Sequence, residues 1–228
     1  MDVVLDNIIF ELQSNGGITT YWKELINRAA NTDRFNLYLL GNNTRNYSHL
    51  TNITQFRDLI NVPCSIRRYL NSNLKMGNTG DFIFHSSYYR INKNSNLNIT
   101  TVHDFVYEKF EKSIHKKLHI FQKKYAINNS QGIICISEST KNDLLSYFPE
   151  IDEDNIAVIY HGVSSNFYKT DKNDEVLFIN SDPSKRYIIF LGSRRGYKNF
   201  NLSIKVVKSL PKEYFLLIIG GGDLNLEE

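Results

Sequence analysis

Arg186 to Leu210, RYIIFLGSRRGYKNFNLSIKVVKSL, is the stretch that decides the fold. Tyr187–Leu191 is a short apolar run, typical of a strand that is covered on both faces. Gly192 ends this run, and a polar loop with three cations leads into apolar residues spaced at i, i+4 and i+7, which predict a helix from Phe200. Tyr214–Ile219 forms a second apolar run. The stretch predicts a β-α-β unit whose cationic loop lies at a strand's carboxyl end, where open parallel sheets bind ligands.

The other end of the chain repeats this pattern. Val3–Leu5 predicts a strand, Ile18–Ala29 an amphipathic helix and Phe35–Leu40 a second strand. Gly16 and Gly17 stand where the helix begins. Two readings of this glycine pair stay open: it lets backbone N–H groups approach an anion closely, or it forms an ordinary tight turn.

Two further predicted strands, DFIF at 81–84 and ITTV at 99–102, are each followed by a histidine. His103 either points into a ligand crevice or forms a structural hydrogen bond while Asp104 caps the next segment. Its position at the tip of an apolar strand favours the crevice. His85 stays open between the two roles. Tyr88 follows in the same position past a strand end, where doubly wound domains place ligand contacts.

The middle of the chain adds further elements. Strands are predicted at Ile133–Ile136 and Ile156–Tyr160, and Ser137 is predicted to cap a helix. Phe56–Tyr69 predicts a helix with a basic pair near its end, and Phe110–Tyr125 predicts a basic helix. Both sets of cations are predicted to form solvated faces, with contact to an anionic membrane surface as the alternative.

Composition excludes several classes of protein. The chain is 41% hydrophobic and 13% aromatic, which suits a packed core and argues against disorder. With 27 Lys+Arg against 24 Asp+Glu, the net charge of +3 is too small to indicate a nucleic-acid binder. Cys64 and Cys135 match no redox or metal-ligand spacing, so no metal is expected. The amino terminus has neither a signal peptide nor a membrane span, which predicts a cytoplasmic protein.

The predicted fold is α/β, a Rossmann-like doubly wound parallel sheet followed by the first β-α-β of a second Rossmann-like domain. The predicted domains are 1–165 and 186–228. They are joined by a polar and charged linker at 166–185.

Six segments in order along the chain share a pattern with one known family: Gly16–Ile18 with Tyr21, Phe84–Tyr89, Thr101–Asp104, Ile136–Leu144, Tyr160–Val163 and Gly192–Phe200. Together they resemble family 4 glycosyltransferases of the GT-B type, which have two Rossmann-like domains and act in bacterial surface polysaccharide synthesis. The resemblance implies a retaining, metal-independent transfer of a sugar from a nucleotide-sugar donor to a glycan or polyprenyl-linked acceptor. It implies no cofactor besides that co-substrate. From the residues themselves we expect no nucleic-acid partner and a cytoplasmic protein, with peripheral contact to the inner membrane as the alternative.

The resemblance also implies roles for particular residues. Gly16 and Gly17 would approach the donor pyrophosphate, and Arg194 and Lys198 would neutralise the departing diphosphate. His103 would lie beside the reacting sugar as the catalytic residue. On the acceptor side the candidates are His85, Tyr88 and Asp104.

Two finer expectations come from the same resemblance. The Gly196–Phe200 variant resembles mannosyltransferases of O-antigen assembly, which suggests GDP-mannose as donor. The family's second domain later carries a Glu-x7-Glu motif, and this sequence stops at Glu228 without it. A C-terminally truncated enzyme is therefore expected. The alternative function is a non-catalytic anion- or glycan-binding module that needs a partner chain.

Overall fold

The computed structural model of the chain describes residues 1–42, 53–77, 81–110, 115–168, 185–194 and 196–223. Its internal contacts divide the chain into two units, Met1–Gly162 and Val163–Glu228. The division falls close to the end of the predicted first domain. Most of the predicted linker, 166–185, lies outside the described residues.

The first unit alternates strands and helices. In chain order its elements are β1 (Asp2–Asp6), α1 (Ile9–Leu12), α2 (Gly17–Ala29), β2 (Asn36–Leu40), β3 (Thr54–Phe56), α3 (Cys64–Arg67), β4 (Phe82–Ser86), β5 (Leu97–Val102), α4 (Val106–Phe110), α5 (His115–Asn128), β6 (Gly132–Cys135), α6 (Glu138–Tyr147) and β7 (Ile156–Val158).

The strands form one parallel sheet in the order β3-β2-β1-β4-β5-β6-β7. The chain adds strands outward from β1 in one direction, then returns to place β4 on the other side of β1. This reversal puts a topological switch point at the carboxyl ends of β1 and β4, which is where such sheets bind ligands. The predicted doubly wound α/β fold is confirmed.

Residues of β1 alternate between the two faces of the sheet, and apolar side chains pack on both faces. Leu5 packs with Trp22 and Ile26 of α2, whose side chains are fully buried. Val4 faces the other way and packs with Phe82 and Phe84 of β4. A third cluster, between β5, β6 and α6, comprises Val102, Phe105, Ile127, Ile133, Cys135, Leu144 and Phe148.

The helix predicted at Phe56–Tyr69 is wrong. Phe56 ends strand β3, and only Cys64–Arg67 is helical. Pro63 explains the difference, because it lacks an N–H and disfavours helical backbone in the residue before it. The solvated face predicted for the basic pair is also wrong for Arg67, which is buried and forms ion pairs with Glu11 and Asp58.

The basic helix predicted at Phe110–Tyr125 corresponds to α4 and α5, with residues 111–114 outside the described part. Lys117 and Lys124 are exposed as predicted. Lys123 is a correction: it is fully buried, and its Nζ lies 2.7 Å from a carboxylate oxygen of Glu108. No helix within the described ranges is long and apolar enough to span a bilayer.

The second unit contains β8 (Arg186–Leu191), α7 (Phe200–Ser209) and β9 (Tyr214–Ile219). The two strands pair in parallel from Arg186 opposite Tyr214 to Leu191 opposite Ile219. Phe200 is the buried anchor of α7, and its ring packs edge-on against Phe190 at 4.9 Å between centroids. The predicted β-α-β unit is confirmed.

Candidate functional site

A buried ion network occupies the switch point of the first unit. The guanidinium of Arg90 lies 3.1 Å from the carboxylate of Asp6, at the end of β1, and 2.7 Å from that of Asp58. Ser86, at the end of β4, donates a 2.8 Å hydrogen bond to the same Asp6 carboxylate. Burial raises the pKa of Asp6, while the charge of Arg90 and the Ser86 hydrogen bond act against that rise.

This network fixes the loops around the switch point. Arg90 also donates to the backbone carbonyl of Leu70, 2.8 Å away, and Arg67 links Asp58 to Glu11 of α1. Charged side chains of this kind are rarely buried unless paired, and a broken buried pair is costly. The network therefore holds the two strand ends and three flanking segments in one arrangement.

Gly16 and Gly17 open helix α2 beside this point. Gly16 has an extended backbone, and no side-chain hydrogen bond caps the helix in the described structure. A Cβ at Gly17 would have no atom within 4 Å, apart from its chain neighbours and the helix's own backbone. The first backbone N–H groups of a helix lack partners within it and carry partial positive charge. The loop thus presents open, uncapped donors, and the two readings of the glycine pair stay as predictions.

His103 follows β5 directly and lies in a cluster of three rings. Its ring meets that of Tyr21, from α2, edge-on at 5.2 Å between centroids. The ring of His161, which follows β7, stacks on that of Tyr21 at 4.9 Å between centroids and meets that of His103 edge-on at 6.0 Å. Burial lowers the pKa of His103 to about 4, with a smaller lowering by the charge of His161. His103 is therefore a neutral imidazole at pH 7.

His85 lies inside strand β4, one residue before its end. Its Nε2 is 2.9 Å from the hydroxyl of Thr101, and its ring packs edge-on against Trp22 at 4.9 Å. Burial lowers the pKa of His85 to about 3, so it is neutral and enclosed. A substrate could not touch His85 without displacing these neighbours. His103, in contrast, lies just past the carboxyl end of β5.

Tyr88 and Asp104, the remaining acceptor-side candidates, have local partners. The hydroxyl of Tyr88 accepts a hydrogen bond from Arg68, whose guanidinium also lies 4.2 Å from the centre of the Tyr88 ring. Asp104 is exposed and accepts a hydrogen bond from the backbone N–H of Val106 at 3.1 Å. Asp104 thus makes the capping contact that was one of its two expected roles.

In the second unit, Lys198 and Arg194 lie at the carboxyl end of the two-stranded sheet. Lys198 folds back over Gly192, where a Cβ would come within 2.6 Å of its Nζ. The guanidinium of Arg194 donates to the backbone carbonyls of Gly220 and Gly222, at 3.1 and 3.0 Å. Arg194 therefore joins the loop after β8 to the glycine loop after β9. The phosphate-binding role expected for both cations stays a prediction.

Sequence reasoning about individual residues missed two of the three clustered rings. His161 is the third histidine that directly follows a predicted strand, and that repeated position was the available signal. Tyr21 lies within a helical pattern, and its signal was its place in one of the segments that carry the family resemblance. The described residues contain no group of three or more His, Cys, Asp or Glu side chains that could hold a metal ion.

In a comparison with family models, residues 81–167 match the model described as Glycosyltransferase Family 4. The matched segment is less than half of the chain. It contains His103, Asp104 and His161, whereas the glycine pair and the cationic loop lie outside it. No curated protein matches the chain. The family match supports a glycosyltransferase of family 4, a class that uses a nucleotide-sugar donor and an acceptor.

Proposed function

We propose that the chain transfers a sugar from a nucleotide-sugar donor to an acceptor hydroxyl, with retention of configuration and without a metal. The observation that carries this proposal is a neutral histidine, His103, at the carboxyl edge of a Rossmann-like sheet within the family-matched segment. An uncharged imidazole can hydrogen-bond sugar hydroxyls as donor or acceptor.

The reaction breaks the bond between the anomeric carbon and the donor's diphosphate and forms a bond from that carbon to the acceptor oxygen. The proton of the acceptor hydroxyl passes to the departing diphosphate, which leaves with the bonding electrons. Negative charge grows on the leaving group, so fixed donors and cations near it stabilise the transition state. Lys198 and Arg194 of the second unit are the cations proposed for this task. For the first unit, we propose separately that the N–H groups at Gly16 and Gly17 bind an anion.

Finer specificity rests on the residue pattern alone. Gly196–Phe200 resembles the corresponding loop of O-antigen mannosyltransferases, so we propose GDP-mannose as the donor. The proposed acceptor is a glycan or a polyprenyl-linked sugar of surface polysaccharide synthesis. Paired assays with GDP-mannose and UDP-glucose test the donor, because only the preferred one should give turnover.

One surface of the first unit suits contact with an anionic membrane. Phe121 is 69% exposed on α5, with Leu118 exposed beside it and Lys117 and Lys124 on the same exposed face. Exposed apolar side chains flanked by lysines are typical of helices that lie on anionic lipid. We propose peripheral contact here. Phe121→Asp should reduce flotation with vesicles containing phosphatidylglycerol; undiminished flotation would contradict the contact.

The alternative function, a non-catalytic module that needs a partner chain, is favoured by the second unit. Ile189 and Leu191 of β8 are 58% and 68% exposed, and Ile219 of β9 is exposed beside them. A two-stranded sheet with an uncovered apolar face is marginal by itself and suits association. Turnover by the purified chain would exclude this alternative, whereas nucleotide-sugar binding without turnover would support it.

The decisive experiment compares Lys198→Ala with Lys205→Ala in a radiolabelled sugar-transfer assay. Lys205 is an exposed lysine on α7 and serves as the matched control. Removing a cation that faces the leaving group should cost about 2–4 kcal/mol of transition-state stabilisation, with circular dichroism unchanged. Equal activity of the two variants would contradict the role of Lys198. Absence of transfer and of nucleotide binding by the unaltered chain would contradict the proposed function itself.

A further inference from the structure

The segment that leaves β7 is bound to the sheet one residue past the strand, and its third residue stacks in the ring cluster. The backbone N–H of Ile159 donates a 2.9 Å hydrogen bond to the carbonyl of Cys135, extending the strand pairing past Val158. His161 follows two residues later and ends with its ring parallel to that of Tyr21, at 19° and 4.9 Å. Offset stacking of this kind adds to the energy of simple burial.

Tyr21 is equally constrained from the other side. Its neighbour Trp22 is fully buried and donates a 2.7 Å hydrogen bond to the side chain of Asn7. The Tyr21 hydroxyl lies 3.5 Å from that of Thr101, within strand β5. A ring that stacks on Tyr21 is therefore held against a constrained side chain. Such a ring can restrict the motion of a neighbouring side chain.

The neighbouring group is His103, which packs edge-on against both stacked rings. We infer that His161 is a positioning residue for His103: by stacking on Tyr21, it holds the His103 ring in one orientation and shields it from water. The inference rests on the proposed function, in which His103 touches the reacting sugar. His161 is exposed itself and covers the partly buried His103.

The groups that face His103 set its protonation together. Burial is the largest cause of its lowered pKa, followed by lowering by His161, raising by Asp104 and lowering by Lys123 of α5. His85 lies behind it on β4 and is neutral, and a hydrogen bond joins the Tyr89 phenol to the His103 backbone. Because burial is the largest cause, removing the His161 ring should raise the pKa of His103 more than removing the His161 charge alone.

Two substitutions separate these effects. His161→Phe keeps a ring and removes the charge, while His161→Ala removes both. Phe56→Ala is the matched control, because it removes one ring of a similar stack, Tyr38 on Phe56 at 5.6 Å and 21°, at the opposite edge of the sheet.

The first readout needs no substrate. Nuclear magnetic resonance of the full chain with labelled histidine rings measures the pKa of His103 directly. We expect His161→Ala to raise it by about one unit toward the ordinary value, His161→Phe to raise it less, and Phe56→Ala to leave it in place. Tyr21→Leu removes the other ring of the stack and should raise the pKa of His103 as His161→Ala does. This second variant keeps the test available if His161→Ala does not fold.

The second readout is the transfer reaction. His161→Ala should lower kcat about tenfold with little change in the KM for the donor, and His161→Phe should restore most of that loss. An unchanged pKa of His103 in both His161→Ala and Tyr21→Leu would overturn the inference while leaving the proposed function intact. Absence of transfer by the unaltered chain would contradict the proposed function, and the resonance comparison would still decide whether His161 shields His103.

Discussion

At the scale of single residues, a substitution at Gly17 distinguishes the two readings of the glycine pair, an anion-binding loop and an ordinary turn. An alanine there meets no neighbouring atom and favours helix, so Gly17→Ala should leave stability unchanged or raise it by up to about 1 kcal/mol. If an anion approaches this backbone, the same methyl group should lower the affinity for GDP at least tenfold. Calorimetric titration measures that affinity, with Ser14→Ala, an exposed residue of the same loop, as the control. Unchanged GDP affinity would make the glycine pair a turn only.

The buried histidines make stability depend on pH. Burial lowers the pKa of His119 and of His85 to about 3 and that of His103 to about 4. In the unfolded chain they titrate near 6.5, so between these values the unfolded state binds more protons. Their contribution to the free energy of unfolding is complete above pH 6.5. It is lost as the pH falls from 6.5 toward 4 for His103 and toward 3 for His85 and His119.

His119→Phe tests this linkage with little loss of packing. His119 stacks on Tyr107 at 4.0 Å, and its Nδ1 finds no hydrogen-bond partner among the described residues. The variant should flatten the loss of unfolding free energy below pH 6.5 by up to about 1.4 kcal/mol per pH unit. Urea unfolding at a series of pH values measures the slope. A slope equal to that of the unaltered chain would show that His119 does not titrate differently in the two states.

At the scale of elements, the buried ion network of Asp6, Asp58 and Arg90 connects the end of β1 and the segment after β4 to the segment after β3. Arg90→Ala should lower the free energy of unfolding by about 3–5 kcal/mol, because it leaves the Asp6 carboxylate buried without its cation. Arg90→Lys should recover only part of that, since one ammonium cannot reach Asp6, Asp58 and the Leu70 carbonyl together.

Arg28→Ala is the matched control for this prediction. Its pair with Glu24 spans one helical turn at 3.5 Å, and the Arg28 side chain is 82% exposed. Exposed pairs of this kind contribute about 0.3–0.5 kcal/mol. Chemical denaturation compares the variants directly. Similar losses for Arg90→Ala and Arg28→Ala would mean that the buried network does not anchor the sheet.

At the scale of the whole molecule, the two units differ in how well their strands are covered. Strands β1 and β4 lie between the clusters around Trp22 and Phe84, both fully buried, whereas much of β8 is exposed. Amides in β8 and β9 should therefore exchange with solvent on the order of tenfold faster, or more, than those of β1 and β4. Hydrogen exchange followed by mass spectrometry measures the difference. Equal protection in both units would show that the exposed face of β8 is covered in solution.

The sequence by itself determined the described strands except β3, the main helices and the parallel α/β class. These follow from local apolar patterns and from capping, as at Ser137, whose hydroxyl accepts from the backbone N–H of Thr140 at 3.1 Å. It also placed His103 at a strand end. It failed at Phe56–Tyr69, where Pro63 outweighed the apolar pattern.

Only the tertiary structure decided which side chains meet. Asp6 and Arg90 are far apart in the chain, and so are Tyr21, His103 and His161, and no local pattern pairs them. The same limit applies to Arg67 and Lys123, which look like surface cations in the sequence and are buried in the fold. The charge of a residue is a local property. Its burial, partner and pKa depend on which strand ends the sheet order brings together, because those neighbours set the desolvation and the field at the site.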